Sequence, residues 1–266
     1  MRGPYTLVHA EDNWQTDMGA WFSGERVVFR GKDLFTELND FSWFKLLMFG
    51  ITGKEFDDNQ IKLFEAIWVL STSYPEPRIW NNRVASLTGT ARSTCVLATS
   101  AATAISEANI YGSQAELDAM YFLIQAKQAI DEGIELKSFV INHLKTFRRI
   151  GGFGRPIINH DERIAPLLNK AEELGLANGQ YLKLALDVEK ILLKERFRQI
   201  LNVAGLAAAL MADQKITLNE YHHYSVLAFS IGNISCYIDS SAQKEGRFFP
   251  LGCERLDYIG QEKRDW

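Results

Sequence analysis

The chain has 266 residues, 47% hydrophobic and 23% charged, the balance of a soluble globular protein with room for one large domain or two smaller ones. Its net charge of -4, without any basic block, gives no electrostatic footing for nucleic acid, and no apolar run reaches the roughly 18–20 residues of a membrane span. The N-terminus lacks the apolar core of a signal peptide, and Cys95, Cys236 and Cys253 have no metal-ligand spacing, so the expectation is a cytoplasmic protein with reduced thiols and no metal.

In chain order, residues 21–29 are strand-like, with Gly24-Glu25 as a hairpin turn. Residues 42–50 read as a helix stopped by Gly50. Residues 57–70 follow, with Ile61, Phe64, Ile67 and Trp68 at helical spacing and Asp57 or Asp58 as caps. Residues 86–108 are rich in Ala, Ser and Thr and poor in charge. That composition predicts a buried central helix that its neighbours approach closely. Residues 114–133 and 136–147 are further helices. Residues 161–174 begin with acids and end before Gly175, in keeping with the helix dipole. Residues 180–194, 197–211 and 218–231 complete the set. The fold class predicted is all-α with a minor N-terminal β element.

Several short motifs occur along the chain. Residues 151–163 read Gly-Gly-Phe-Gly-Arg-Pro-Ile-Ile-Asn-His-Asp-Glu-Arg. Before them come Asn82-Arg-Val-Ala-Ser86 and Asn109-Ile-Tyr-Gly-Ser113, and after them Leu201-Asn-Val-Ala-Gly205 and Tyr258-Ile-Gly-Gln-Glu-Lys-Arg264. In this order they resemble the motifs of the citrate synthase and citryl-CoA lyase family over nearly the whole chain. The short length looks more like the citryl-CoA lyase or ATP-citrate lyase branch. The resemblance implies a helical homodimer with a large domain, residues 1–113 and 213–266, and a small domain, residues 114–212, that closes over the site. Closure would exclude water from an acyl-CoA intermediate.

Condensing a thioester requires a base for the α-proton and donors to stabilise the enolate and polarise the acceptor carbonyl. The family uses an aspartate and two histidines. On the motifs above, the aspartate position is Ala204 and the histidine positions are Tyr111 and Arg155. A methyl group accepts no proton. Tyr111 can donate a hydrogen bond, but a phenol with a pKa of about 10 is a poor proton shuttle at neutral pH. Arg155 stabilises an anion and gives up no proton. Cys236 stands where the family often has a substrate-contacting histidine.

The binding residues resemble the family more closely. Arg163 matches an arginine that grips a substrate carboxylate, although Glu162 replaces the family's proline. Arg264 matches one that reaches the partner subunit's site, and a third falls near Cys253 or Arg255. The backbone of Gly152, Phe153 and Gly154 leaves room for an adenine or pantetheine. No tightly held cofactor is implied; a CoA thioester fits the resemblance.

Each residue also has a plainer reading. Arg163 can form a salt bridge to Asp161 or Glu189, Arg264 can be a solvated charge, and Tyr111 can be a packing residue. Arg155 in a closed cleft needs an anionic partner, either a ligand or a protein carboxylate. His222 and His223 are adjacent on a helix and face different ways, which argues against a metal pair. His160 reads as exposed loop, and Cys236 has no adjacent base to activate it. Two functions therefore stand: an enzyme with altered chemistry that binds a small carboxylate or acyl thioester, and a non-catalytic binding or regulatory relative.

Overall fold

The computed structural model describes residues 4–72, 74–108, 112–155, 160–197, 199–247 and 252–262. Tyr111 and Arg264 lie outside the described residues. A short helix, α1 (Tyr5–Ala10), precedes the hairpin, in which β1 (Gly19–Phe22) pairs antiparallel with β2 (Arg26–Phe29). A third strand that the sequence did not announce, β3 (Lys32–Asp33), completes the sheet in the order β1-β2-β3. The rest is helical, as the composition predicts.

Local chemistry sets many of the boundaries. α2 (Trp43–Thr52) starts where the Ser42 hydroxyl accepts the Lys45 N–H, and α3 (Asp58–Ser71) starts in a capping box between Asp57 and Gln60. α2 runs past Gly50 and stops at Gly53, which takes φ +70°. Gly50 has a packing role instead, because a Cβ there would lie 2.8 Å from the ring of Phe29.

The long central helix expected at 86–108 is two helices, α4 (Trp80–Thr90) and α5 (Cys95–Ile105). The break comes where Arg92 takes φ +62° and Thr94 caps the new helix through the Leu97 N–H. Neither contributes to the main core, and on α5 Val96 is 75% and Leu97 60% exposed.

Next come α6 (Gln114–Asp131), α7 (Leu136–Phe147), α8 (Ile164–Glu173), α9 (Gln180–Lys194) and α10 (Val203–Asp213). α8 starts later than 161, because the Asp161 side chain is drawn into tertiary contacts; α10 starts later than 197, because residues 200–202 pair with a loop. The helix expected at 218–231 is α11 (Leu218–Ser225), followed by a 3-10 turn at Val226–Phe229 and by α12 (Ser230–Ala242).

The main core is continuous from α2 and α3 through α6–α11, and α10 is its centre, with every residue from Val203 to Ala212 buried. Its neighbours are α3, α6, α8 and α9. Buried side chains such as Phe64, Met120, Leu123 and Leu206 each contribute on the order of 1.5–3 kcal/mol by leaving water. α4, α5 and α12 pack on one another around a second small cluster of Ala85, Ala102 and Cys236. Among the described residues, no helix is long and apolar enough to cross a membrane.

Candidate functional site

The glycine loop meets the start of α10 chiefly through backbone. Gly152 and Gly154 take φ +81° and +86°, turns that L side chains rarely adopt. Between them, Phe153 bridges to Leu201 in antiparallel fashion. Asn202 donates its backbone N–H to the Gly152 carbonyl at 3.0 Å, and Gly154 donates to the Ile200 carbonyl at 2.6 Å. The Asn202 side chain finishes the junction: Nδ2 donates to the Gly154 carbonyl at 2.8 Å, while Oδ1 accepts the Gly205 N–H at 3.2 Å. A Cβ on Gly152 would lie 2.5 Å from the Gly205 Cα, so two glycines permit the crossing. On the other side the loop rests on α6, where a Cβ at Gly152 would meet Ala119 at 2.8 Å.

Phe153 points into the core, 7% exposed and edge-on to Phe122. The Gly-Phe-Gly backbone thus has a structural role, that of holding the loop on α6 and α10.

Beside this junction lies a group of charges. Asp161 has a fully buried side chain and accepts from Arg163 through both oxygens, Nε at 2.8 Å and Nη2 at 2.9 Å. The same carboxylate accepts the Val203 N–H at 2.9 Å, so it also ties down the first turn of α10. Burial works against its ionisation, but the Arg163 guanidinium and the Val203 and Arg163 amides outweigh that and hold its pKa below the ordinary value. Arg155 donates from Nη1 to Glu162 Oε2 at 2.6 Å and to the His160 carbonyl at 3.3 Å, with Asp161 Oδ1 at 3.7 Å. Glu162 is 62% exposed, and its carboxyl is held low by a backbone amide and Arg155.

The fold therefore brings Arg155, Arg163 and the glycine loop together at the start of α10, next to Ala204, itself buried in the second position of that helix. Of the two partners considered for Arg163, Asp161 takes it; Glu189 instead accepts the Leu201 N–H at 2.8 Å.

Other candidates lie elsewhere or act otherwise. Cys236 is buried in the second cluster, where burial pushes its thiol up. Arg255 is exposed in a 3-10 turn at Cys253–Arg255. His160 is exposed and contributes its carbonyl. His222 lies 3.3 Å from Glu107, and no group of three or more His, Cys, Asp or Glu among the described residues could hold a metal ion.

Two site residues had little sequence signal. Asn202 could have been found as a helix cap, since the residue before an apolar run is often Asn. Glu116, in the first turn of α6, reads as an ordinary dipole-matched acid, yet its Oε2 is sealed from solvent.

The sequence matches no protein-family model, and a search of the curated proteins finds no relative. Solved structures do match. Citryl-CoA lyase from Hydrogenobacter thermophilus superposes with a TM-score of 0.81 at 18% identity, covering 96% of this chain and 97% of that one. Methanosaeta concilii ATP citrate lyase, a D541A mutant in complex with (3S)-citryl-CoA, gives 0.76 at 20% identity; 99% of this chain spans 45% of that one. Citrate synthase from Thermotoga maritima gives 0.64 at 18% identity, over 85% of this chain and 60% of that one. Identities this low speak for architecture, and on that ground the chain has the citrate synthase-like fold shared by citryl-CoA lyase and citrate synthase.

Proposed function

We propose that this chain is a divergent enzyme on the citrate synthase-like scaffold. It binds a small carboxylate or an acyl thioester, CoA thioesters included, and carries out chemistry other than citrate synthesis. The observation that carries this reading is the contrast between the two arginines of the site. Both prongs of Arg163 are filled by a buried carboxylate, so its role is to hold the start of α10. Arg155 is paired mainly with an exposed glutamate, a partner of little net worth that an incoming anion can replace.

Ala204 supports the altered chemistry, because nothing at that position accepts a proton. Reactions that avoid removing an unactivated α-proton suit it: rearrangement, cyclisation, dehydration, or cleavage of an already acidic substrate. Tyr111, Arg255, Arg264 and Cys236 remain proposed contributors, and closure of residues 114–212 over the site remains part of the proposal. So does a homodimer. The side of α5 carrying Val96 and Leu97 is apolar and exposed, a surface of the kind that a second copy would bury. The second reading, a binding or regulatory protein without catalysis, is favoured by the same Ala204 and by the internal pairing of Arg163.

Calorimetry with CoA, acetyl-CoA, oxaloacetate and citrate tests the proposal. At least one should bind, and Arg155→Ala should weaken it about tenfold or more, the loss of roughly 1.4 kcal/mol or above. If none of the four binds, the carboxylate-cleft reading fails. Binding with no chemical conversion of any ligand that binds favours the second reading. Robust citrate synthesis would place the catalytic groups elsewhere.

A further inference from the structure

One carboxyl oxygen of Glu116 is left unsatisfied by the described residues. Its Oε2 is sealed from solvent and has no hydrogen-bond partner among the described residues, although the residue as a whole is only partly buried. The other acids near the junction are committed: Asp161 to Arg163 and Val203, Glu162 to Arg155, and Glu189 to Leu201. A sealed carboxyl oxygen without a partner opposes folding, so an acid kept there points to a use beyond the described contacts.

Its position supports this. Glu116 lies one turn before Ala119 and Met120 on the same face of α6. Ala119 is the residue that Gly152 packs on, and Gly152 in turn crosses Gly205, next to Ala204. The charged and titratable groups that act on the carboxyl electrostatically are Arg163 at the start of α8 and Tyr221 and Tyr224 from α11. Both tyrosines are kept neutral, chiefly by burial, and the Tyr224 hydroxyl donates to the Phe64 carbonyl at 2.6 Å. Burial pushes the Glu116 carboxyl up to about 7, with Arg163 pulling the other way. The neutral and ionised forms are thus both populated near neutral pH, whereas Asp161 and Glu162 stay ionised.

We propose that Glu116 is the proton-carrying group of this cleft, and that an anion binding beside Arg155 and Arg163 is taken up together with a proton on the Glu116 carboxyl. The coupling rests on the anion-cleft reading above; the proton-carrying role stands without it. An anion near Arg163 offsets the positive charge that favours the Glu116 carboxylate, so the neutral form gains and a proton enters from solvent. By linkage, affinity for the anion falls as pH rises through the range in which Glu116 loses its proton.

Two measurements on the full chain separate the parts. Infrared difference spectra of ligand-free protein, titrated from about pH 5 to about pH 9, should show a protonated carboxyl band that disappears near neutrality and is missing in Glu116→Gln. A wild-type protein with no carboxyl titrating there overturns the proton-carrying role without need of any variant. Calorimetry with citrate and with CoA, in two buffers of different ionisation heat, should show net proton uptake on binding that is lost in Glu116→Gln, the variant serving as control for the ligand's own protons. Equal proton uptake in both proteins overturns the coupling. If neither probe binds, the functional reading and the coupling fall together, while the infrared titration still decides the role of Glu116.

Discussion

α10 and α5 have similar compositions and opposite surroundings. Val203-Ala-Gly-Leu-Ala-Ala-Ala-Leu-Met-Ala-Asp213 and Cys95-Val-Leu-Ala-Thr-Ser-Ala-Ala-Thr-Ala-Ile105 are both short, alanine-rich and nearly free of charge. α10 is surrounded by α3, α6, α8 and α9, and buries all of Val203–Ala212. α5 touches α4 and α12, buries Ala98 and Ala102, and leaves Val96 and Leu97 in solvent. Small side chains permit close approach from any direction; they do not decide how many neighbours come. In α10 that permission is used fully, and its first turn is fixed by Asp161 and Asn202, which makes it the platform for the site.

The comparison can be broken most severely at Gly205. A side chain there meets the Gly152 carbonyl and the Leu201 side chain, so Gly205→Val should cost more than about 3 kcal/mol and abolish a cooperative thermal transition. A variant that melts within a few degrees of wild type would show that the loop and α10 are not rigidly joined.

Truncating one leucine in each helix gives the next largest contrast. Leu206→Ala should cost about 2–5 kcal/mol in denaturant unfolding, as for other buried leucines. Leu97→Ala should stay within about 0.5 kcal/mol in the monomer. Leu97→Glu asks whether that surface is covered by a second copy: light scattering should show a dimer in wild type and a monomer in the variant. Equal costs for the two alanine variants would remove the distinction between the helices.

Asp161→Asn sharpens the comparison where α10 begins. It leaves the Arg163 guanidinium without its charge partner and should cost about 2 kcal/mol at neutral pH. The pH dependence has a definite sign. The folded-state pKa of Asp161 is depressed, so its contribution is present above the unfolded pKa and lost as pH falls through the folded value. The stability gap between wild type and variant should therefore close in acid. A gap that stays constant with pH would mean that the charge of the Asp161 carboxylate does not carry the effect.

Much of the fold is legible in the chain because it is local. The Asp57–Gln60 capping box lies within four residues, as does the hydrogen bond from Glu25 to Phe22 that closes the hairpin. The periodicity of Ile61, Phe64 and Ile67 gives the buried face of α3 directly. What misled was the small-residue stretch from 86 to 108. Its break at Arg92 and Thr94 has only a threonine as a sign, and its surface position has no sign at all. At the site, the glycine loop stands out in sequence, but its role does not. Gly152 is required by a backbone segment some fifty residues further on.

The sequence by itself determined the all-α class, the hairpin, the cap of α3 and the presence of a glycine-rich loop with arginine and acid nearby. Only the tertiary structure decided that α10 and not 86–108 is the centre, that Asp161 takes both prongs of Arg163, and that Glu116 is sealed without a partner among the described residues. The physical reason is range. Capping and periodicity act within a turn or two of chain, whereas burial and ion pairing depend on segments brought together from far apart, as Asp161 is to Val203.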